Sequence, residues 1–361
     1  ASNSVVSWPQ VIDTSPDGRF VYVVETRGAA PAGVERVESA FTDFPEGKRL
    51  SVISVSEDGL TPAAEIADAG LNLQSVEAAA NGRFLAIGSE EEGAELVIIP
   101  LAGGLPAGDP IKFGLSPPFK DGDAERRIRT LHVAPDSLTL AVNVANKRVQ
   151  FYRLSLDGAG LPVAVAAIGE PVEGLGRRLA VGKWTPEGRH FVVTDTNWAD
   201  GAIEMLTQGP SRLSVIAAPS EGKPARIVSS AEVGRSAEGF SLSRDGRFAA
   251  TINMERTYLP EIAPVAFWKG RRLYSVSLLS LDPQTGALAE LDRITAAGIL
   301  PEDVIFDTTG ENLAVAVFHR RKGADRKRGF IDFYSIENGK LVAQGATQAM
   351  MRGVHDLVAV P

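Results

Sequence analysis

Cysteine is absent from the 361-residue sequence, and histidine occurs only four times. Without cysteine the chain has no disulfide, no thiolate nucleophile and no sulfur ligand for zinc or an iron–sulfur cluster. No apolar run approaches the roughly 18–20 residues of a membrane-spanning helix, so we expect no membrane span. Gly-rich phosphate loops, Gly-x-Ser-x-Gly elbows and His-Glu-x-x-His motifs are missing too, which removes several common signatures of catalytic sites.

Basic residues are fewer than acidic ones: the sequence has 37 Lys and Arg residues and 45 Asp and Glu residues, for a net charge of −8. This balance argues against a nucleic-acid partner. One basic run, Arg320–Lys322 with Arg326–Arg328, carries no aromatic residue that would stack on bases, and we interpret it as a solvated loop. The sequence begins Ala1-Ser2-Asn3 without Met, which favours a removed export signal and a periplasmic or secreted protein; the alternative is a cytoplasmic one.

A strand–turn–strand pattern recurs six times along the chain. The clearest copy is Ser15–Val24 (SPDGRFVYVV), and its turn residue is Gly18. Asp-Gly between apolar runs predicts a tight hairpin, because Gly tolerates positive φ and Asp bonds its own backbone. The corresponding turn residues of the six copies, 51 to 64 residues apart, are Gly18, Gly82, Ser137, Gly188, Gly246 and Gly310.

A second hairpin follows most copies, so that each repeat contains four short strands. Its turns are Glu57–Gly59, Asp157–Gly158, Glu221–Gly222, Gln284–Gly286 and Glu337–Gly339. Four strands per repeat of this length, with no helical-period segment between them, are typical of β-propeller blades. We therefore predict an all-β fold in which residues 1–361 form a single propeller domain.

The number of blades is open on this pattern, because six repeats are complete and Gly353–Pro361 resembles one further inner strand. Either six blades carry an added strand, or a seventh blade is completed by residues that this sequence lacks. We favour seven blades because of the family resemblance described below.

The topology predicts where chemistry is placed. Because the Asp-Gly turns share one face, the longer connections share the opposite face, where sites on such scaffolds are usually built. Polar residues that begin inner strands or end their neighbours should converge there, at the mouth of a central channel. From these we predict catalytic roles for His355, His132, Glu238 and Glu302, and substrate binding by Arg129, Asn143, Asn253 and Arg256.

The histidines differ in their sequence context. His355, in Val-His-Asp, is the best candidate for proton transfer, because a near-neutral pKa suits general acid–base work beside carboxylates and Arg. His132 lies inside an inner strand, so the alternative to a catalytic role is a structural one. For His319 both a catalytic and a structural role are open. His190 directly follows a turn on the opposite face, so we expect it to be a surface residue.

Two further segments have competing interpretations. Asp121–Glu125 holds three carboxylates in five residues but lacks a full calcium loop, so we predict a solvated loop, no metal and no cofactor. Asn253–Pro260, with Phe267 and Trp268 after it, is either a lid over the channel mouth or a plug that packs against its neighbours.

The Ser15–Val24 repeat, the hairpin Ser280–Leu288 and the segment Leu300–Phe306 together resemble the lactonase-like seven-bladed propellers. That family includes 6-phosphogluconolactonases, carboxymuconate-cyclising enzymes and surface-layer proteins with Tyr-Val-Thr-Asn (YVTN) repeats. The resemblance implies a lactonase or cyclase that uses His, Arg and Glu at the channel mouth on a small lactone or carboxylated substrate. Its motifs are blade motifs, however, and identify a scaffold rather than a reaction.

Three functions therefore remain open. The first is a metal-independent lactone hydrolase or muconate-type cyclase (an isomerase) with a small-molecule substrate. The second is a non-catalytic module that binds a protein or a cell-envelope polymer. The third is a metal-dependent lactonase, which would need a ligand cluster such as Glu25, Asn143, Asp195 and Asn253. The oligomeric state is open as well.

Overall fold

The computed structural model describes residues 8–28, 45–115, 128–198, 207–257, 272–320, 328–351 and 353–359. Within these ranges the chain forms 25 strands, β1 to β25, in six antiparallel sheets that follow one another along the sequence. These sheets are the blades of a β-propeller, as the repeats predict. No helix in the described ranges is long and apolar enough to cross a bilayer.

Blades 1 to 3 pair their strands in sequence order, except for the last strand of blade 2, which pairs with the third strand of that blade. Blade 1 contains β1 (Trp8–Thr14), β2 (Phe20–Arg27), β3 (Leu50–Ser56) and β4 (Gly59–Ile66). Blade 2 contains β5 (Ser75–Ala78), β6 (Phe84–Gly88), β7 (Leu96–Ala102), β8 (Leu105–Pro106) and β9 (Ile111–Phe113). Blade 3 contains β10 (Ile128–Val133), β11 (Thr139–Val144), β12 (Arg148–Leu156) and β13 (Pro162–Val172).

Blades 4 to 6 repeat the same order. Blade 4 contains β14 (Leu179–Trp184), β15 (His190–Asp195), β16 (Arg212–Ala217) and β17 (Arg226–Glu232). Blade 5 contains β18 (Ala237–Leu242), β19 (Phe248–Asn253), β20 (Leu273–Leu281) and β21 (Leu288–Ala297). Blade 6 contains β22 (Ile299–Phe306), β23 (Asn312–His319), β24 (Arg328–Glu337) and β25 (Lys340–Met351).

The chain divides into two compact units. The first holds blades 1 and 2 and most of blade 3, and the second holds blades 4 to 6 together with Asn146–Arg148. In each unit, apolar side chains of consecutive sheets form the core: Phe84 of blade 2 packs in one cluster with Leu131 of blade 3, and Phe240 of blade 5 packs with Leu213 of blade 4. Such buried aromatic side chains stabilise a fold by about 3–5 kcal/mol each, relative to alanine.

The tight turns confirm the Asp-Gly interpretation. Gly18 and Gly246 have φ values of 70° and 68°, in the left-handed region that glycine favours. Asp17 accepts hydrogen bonds from the Ser15 hydroxyl at 2.7 Å and from the Arg19 backbone N–H at 3.2 Å. These donors lower the pKa of Asp17 to about 2, since they favour the ionised carboxyl.

The preference for seven blades is wrong, because the described residues contain six sheets. Residues 353–359 form no strand. Their backbone meets blade 6 through the Gly353 N–H, which donates to the Phe318 carbonyl oxygen at 3.3 Å, and the Leu357 N–H donates to a side chain, Asp303, at 3.0 Å. A segment that resembles an inner strand in sequence forms one only where a neighbouring strand supplies a hydrogen-bond ladder, and segment 353–359 has none among the described residues.

The expectation that His190 is a surface residue is also wrong, since the residue is only 4% exposed. It lies beneath the β20–β21 turn of the next blade, where a Cβ on Gly286 would approach the His190 ring to 3.0 Å. Burial and the neighbouring Arg189 lower its pKa, because both disfavour the protonated ring. The turn that precedes His190 is local, whereas its burial comes from a blade that is remote in sequence.

Candidate functional site

Three of the predicted site residues occupy the same position in their blades. Arg129, Glu238 and Glu302 each lie eight residues before the turn residue of their own repeat. At each of them the pairing between the inner strand and its neighbour slips in register. Such β-bulges bend a strand and redirect a side chain, and they are common next to active sites.

The second unit brings Glu302 of β22 together with His355 of segment 353–359. The Nε2 atom of His355 lies 3.9 Å from Oε2 of Glu302, whose side chain is only 10% exposed. Glu238 of β18 is partly buried, and its carbonyl oxygen accepts a hydrogen bond from the Thr194 hydroxyl at 3.3 Å. Three of the four predicted catalytic residues therefore lie in one unit.

A glycine allows the two glutamate-bearing strands to approach each other. Gly239 follows Glu238 directly, and a Cβ at this position would lie 2.6 Å from the Glu302 carbonyl oxygen and 2.9 Å from Oδ1 of Asp303. No other residue fits such a gap without moving the backbone. Gly239 therefore fixes the close contact of blades 5 and 6 at the point where their acidic residues begin.

Glu238 and Glu302, together with Asp303 and His355, form an acidic cluster. Burial and neighbouring negative charges raise the pKa values of its carboxyls. Burial raises the pKa of Glu238, and the opposing positive charges of His355 and Arg178 only partly offset it. Burial also raises the pKa of Glu302 well above its ordinary value, and the negative charges of Glu238 and Asp303 raise it further. Because the negative charge of one glutamate raises the pKa of the other, the two carboxyls lose their protons in separate steps.

Asp303 extends the cluster toward segment 353–359. Its pKa lies well above the ordinary range because of burial, because of the negative charge of Asp356 and because the two carboxyls are hydrogen-bonded to each other. The positive charge of Lys183 and the N–H of Leu357 act in the opposite direction. The carboxyls in this cluster thus outnumber the cationic groups that face them.

The first unit contains a separate pair around the predicted catalytic residue His132. Its Nδ1 atom contacts Oε1 of Glu77, while Oε2 of Glu77 accepts the Val133 N–H at 2.8 Å. His132 is 6% exposed. Arg129, the predicted carboxylate binder, lies 4.0 Å from Glu90. The convergence of this pair with His355, Glu238 and Glu302 on one cavity stays a prediction.

The other residues predicted to bind substrate, Asn143, Asn253 and Arg256, differ in their burial and in their hydrogen bonds. Asn143 of β11 is buried, and Arg256 is half-buried just after β19. Asn253 is fully buried, and its amide donates to the hydroxyls of Ser275 at 3.0 Å and Ser277 at 3.1 Å. The amide of Asn253 therefore links β19 to β20 within blade 5.

The residues suggested for a metal-dependent lactonase are engaged within their own units. Glu25 accepts a hydrogen bond from Arg49 at 2.6 Å. Asp195 accepts the backbone N–H groups of Arg178 at 2.8 Å and Asn197 at 3.0 Å. Across the described ranges, no three or more His, Asp or Glu side chains are arranged to hold a metal ion.

Sequence reasoning missed Arg178, and it placed Lys183, Asp303 and Asp356 only among many polar residues near strand ends. Arg178 belongs to no sequence motif that would have marked it. It precedes β14, and its position depends on the backbone N–H groups of Arg177 and Arg178, which both donate to the Asp195 carboxyl. The acidic run Asp121–Glu125, the aromatic pair Phe267 and Trp268, and most of the basic run after Arg320 lie outside the described residues.

No protein-family model matches this sequence, and no curated protein matches it either. Solved structures do match. The periplasmic gluconolactonase PpgL of Pseudomonas aeruginosa has a TM-score of 0.64 and 19% identity, over 98% of this chain and 89% of its own. A proposed 6-phosphogluconolactonase of Bacteroides fragilis has a TM-score of 0.61 and 16% identity, over 96% and 86% of the two chains. They share the β-propeller fold.

The same fold likeness extends to the Cps50 (Swd1) β-propeller domain of Myceliophteria thermophila. It has a TM-score of 0.58 and 12% identity, and the match covers 97% of this chain and 88% of that one. Likenesses at such low identity are evidence of architecture alone, since one scaffold supports many functions. The function therefore has to be argued from the side chains.

Proposed function

We propose that this protein is a lactone hydrolase whose reaction takes place at Glu238, Glu302 and His355. The observation that carries the proposal is the pair of acids with raised pKa values on bulged inner strands, with an imidazole 3.9 Å from one of them. Two acids whose surroundings give them different pKa values are suited to opposite roles, one as base and one as acid. The likeness to gluconolactonase structures supports the same reaction class.

The proposed reaction assigns one role to each residue. The Glu238 carboxylate takes a proton from water as the water oxygen attacks the lactone carbonyl carbon. The ring C–O bond then breaks, and the protonated Glu302 gives its proton to the departing ring oxygen. His355 returns the proton from Glu238 to Glu302, so that lactone and water become a hydroxy acid. The positive charge of Arg178 favours the oxyanion that develops on the carbonyl oxygen.

The charge of the cluster indicates the substrate class. Glu238, Glu302, Asp303 and Asp356 face Arg178, Lys183 and His355, so acidic groups are in excess. A phosphorylated or carboxylated lactone would add negative charge beside these acids, raise their pKa values further and so keep Glu238, the proposed base, protonated. We therefore expect an uncharged lactone to be hydrolysed in preference to an anionic one.

A proton-release assay tests the proposal with uncharged five- and six-membered lactones and their phosphorylated counterparts. We expect turnover of uncharged lactones, and a loss of about 10²–10⁴-fold in kcat in Glu238→Gln, Glu302→Gln and His355→Ala. Glu232→Gln, an exposed carboxyl at the end of β17, is the matched control and should retain activity. If no lactone is hydrolysed, or if the three variants remain fully active, the proposed function is wrong.

A non-catalytic binding propeller is the second candidate, because one scaffold supports many functions and the fold likeness is not confined to the lactonases: the Swd1 β-propeller domain matches with a TM-score of 0.58. It predicts no turnover of any lactone or of a muconate-type substrate. The likeness to a periplasmic protein also supports an exported protein, which fractionation of cells that express the full-length chain would test.

A further inference from the structure

Thr194 of β15 is fully buried, and its hydroxyl bonds the backbone of the strand that carries Glu238. The hydroxyl oxygen lies 3.3 Å from the Glu238 carbonyl oxygen in β18. It also lies 3.3 Å from the carbonyl oxygen of Val181 in β14, and it accepts the Val181 N–H at 3.3 Å. One hydroxyl can accept an N–H and share its single proton between two carbonyls. Thr194 therefore connects the inner strands of blades 4 and 5 through their backbones.

The two residues that Thr194 connects both lie in β-bulges. Val181 lies where the pairing of β14 with β15 slips in register, and Glu238 lies where the pairing of β18 with β19 slips. The extra residue of a bulge interrupts the ladder and leaves backbone groups without their usual partners. The Thr194 hydroxyl supplies a partner to such groups in both bulges at once. The conformation of the bulge at Glu238 therefore depends on this side chain.

Gly239 continues the connection from blade 5 to blade 6. A Cβ at this position would lie 2.6 Å from the carbonyl oxygen of Glu302, which lies in the bulge of β22. Each of the two glutamates thus has its carbonyl against the preceding blade, Glu238 through a hydroxyl and Glu302 through a glycine. A shift of the bulge at Glu238 would change the distance between the two side chains.

A second hydroxyl of blade 4 holds the strand just before Glu238. Ser211 is also fully buried, and it accepts the Ala237 N–H at 3.0 Å and donates to the Thr196 carbonyl oxygen at 3.0 Å. Since this contact remains when the Thr194 hydroxyl is removed, blades 4 and 5 stay connected. We therefore expect the loss of that hydroxyl to produce a local change at Glu238.

We propose that Thr194 is a positioning residue, which fixes the Glu238 carboxyl relative to Glu302 through the backbone of the bulge. Its part in the reaction rests on the proposed function, whereas its contact with Glu238 does not. Without the hydroxyl, the Glu238 carbonyl and the Val181 N–H lose a buried hydrogen bond. They regain a partner only if the bulge shifts or water enters, and either change alters the surroundings of the Glu238 carboxyl.

A carboxyl titration by NMR tests this role without any substrate. The protein is labelled with ¹³C at the glutamate carboxyls, and the Glu238 signal is assigned by its loss in Glu238→Gln. Thr194→Val keeps the shape of the side chain and removes the hydroxyl, whereas Thr194→Ser keeps the hydroxyl. Burial raises the pKa of Glu238 in the wild type. We expect the midpoint in Thr194→Val to move toward the ordinary value by about 0.5 pH unit or more, and that in Thr194→Ser to stay near the wild type.

Thr185→Val is the matched control. Thr185 is also a fully buried threonine of blade 4, and its hydroxyl bonds the His190 N–H and carbonyl oxygen, both at 3.2 Å. This variant should lower the thermal unfolding midpoint as Thr194→Val does, but leave the Glu238 titration unchanged. Should Thr194→Val not fold, Thr194→Ala against Thr194→Ser isolates the hydroxyl, since both lack the methyl group. An unchanged Glu238 midpoint without the hydroxyl, or an equal change in Thr185→Val, would overturn the proposal.

Lactone assays of the same variants separate this proposal from the proposed function. If both hold, Thr194→Val should lose about 10- to 100-fold in kcat with little change in KM, and its pH profile should follow the NMR midpoint. Thr194→Ser should recover most of this loss, and Thr185→Val should show none. If the midpoint moves but the wild type hydrolyses no lactone, Thr194 positions Glu238 and the hydrolase is wrong. If lactones are hydrolysed but Thr194→Val changes neither the midpoint nor the pH profile, the hydrolase stands and the role of Thr194 is wrong.

Discussion

The Glu302 carboxyl is enclosed by protein and faces two other acids, Glu238 and Asp303, which raise its pKa well above the ordinary value. The folded protein therefore binds this proton more tightly than the unfolded chain does. The stability that results is fully present below the unfolded pKa of about 4.3, and it is lost as the pH rises through the folded pKa. At higher pH, keeping Glu302 in place destabilises the fold, which is characteristic of residues retained for function.

We expect Glu302→Gln to be more stable than the wild type at pH 8, by about 1 kcal/mol, because glutamine carries no charge to bury. At pH 5 the two proteins should differ less, since a raised pKa leaves more of the wild-type carboxyl protonated there than at pH 8. Urea unfolding at both pH values measures the difference, and Glu232→Gln should show none. A variant that is less stable than the wild type at both pH values would indicate that Glu302 has a structural role instead.

Part of this site could be predicted from the sequence, because the repeat fixes a constant offset from each turn. The start of an inner strand in each repeat predicted Glu238 and Glu302 as candidates, and the similarity of Gly353–Pro361 to an inner strand predicted His355. The contact between Asp303 and Asp356 could not be predicted, since neither residue differs in its local pattern from the other acids at strand ends. Their pairing and the position of Arg178 come from packing between blades that are far apart in sequence.

At the scale of single elements, the tight turns depend on backbone conformation more than on contacts. Gly82 has φ of 65°, and a Cβ placed on it meets no atom within 4 Å. Any penalty for a side chain there therefore comes from the left-handed backbone alone. Ser137 occupies the corresponding position in blade 3 with φ of 57°, and its hydroxyl accepts the Asn81 N–H at 3.1 Å, which favours a serine at this turn.

We expect Gly82→Ala to destabilise the protein by about 1–2 kcal/mol, through the left-handed conformation. Gly158→Ala is the matched control: its position is equally open, but its φ is not in the left-handed region. That variant should be neutral or stabilising by about 0.5 kcal/mol, because alanine reduces the freedom of the unfolded chain. Thermal unfolding of both variants measures the effect, and equal destabilisation of the two would contradict the backbone explanation.

The hairpins could be predicted because their turn residues are close together in the sequence. Two differences from the predicted strands show where such local patterns are not sufficient. Blade 2 has no continuous outer strand: β8, which ends at Pro106, and β9 pair with different parts of β7, and residues 107–110 between them include a glycine and a second proline. Proline lacks the N–H that a strand donates. Segment 353–359 resembles an inner strand in sequence but has no partner strand among the described residues, and the family resemblance that favoured seven blades misled the count.

At the scale of the whole molecule, two groups of carboxyls act on stability in opposite directions. The aspartates of tight turns and blade edges have lowered pKa values, chiefly because hydrogen bonds favour their ionised form; they include Asp17, Asp245, Asp282, Asp292 and Asp307. Their contribution is present above the unfolded pKa of about 3.9 and is lost as the pH falls through the folded values. The acids of the cluster, Glu238, Glu302 and Asp303, have raised pKa values and lose their contribution as the pH rises.

The two groups together predict a maximum of stability at mildly acidic pH, with losses on both sides that have separate origins. Unfolding midpoints in urea, measured from pH 3 to pH 9, should trace this maximum. Glu302→Gln should flatten the decline toward pH 9 and leave the acidic side unchanged, whereas Asp17→Asn should reduce only the decline toward pH 3. If Glu302→Gln left the alkaline decline intact, the cluster would not be its cause, and the raised pKa values on which the acid and base roles rest would lose their support.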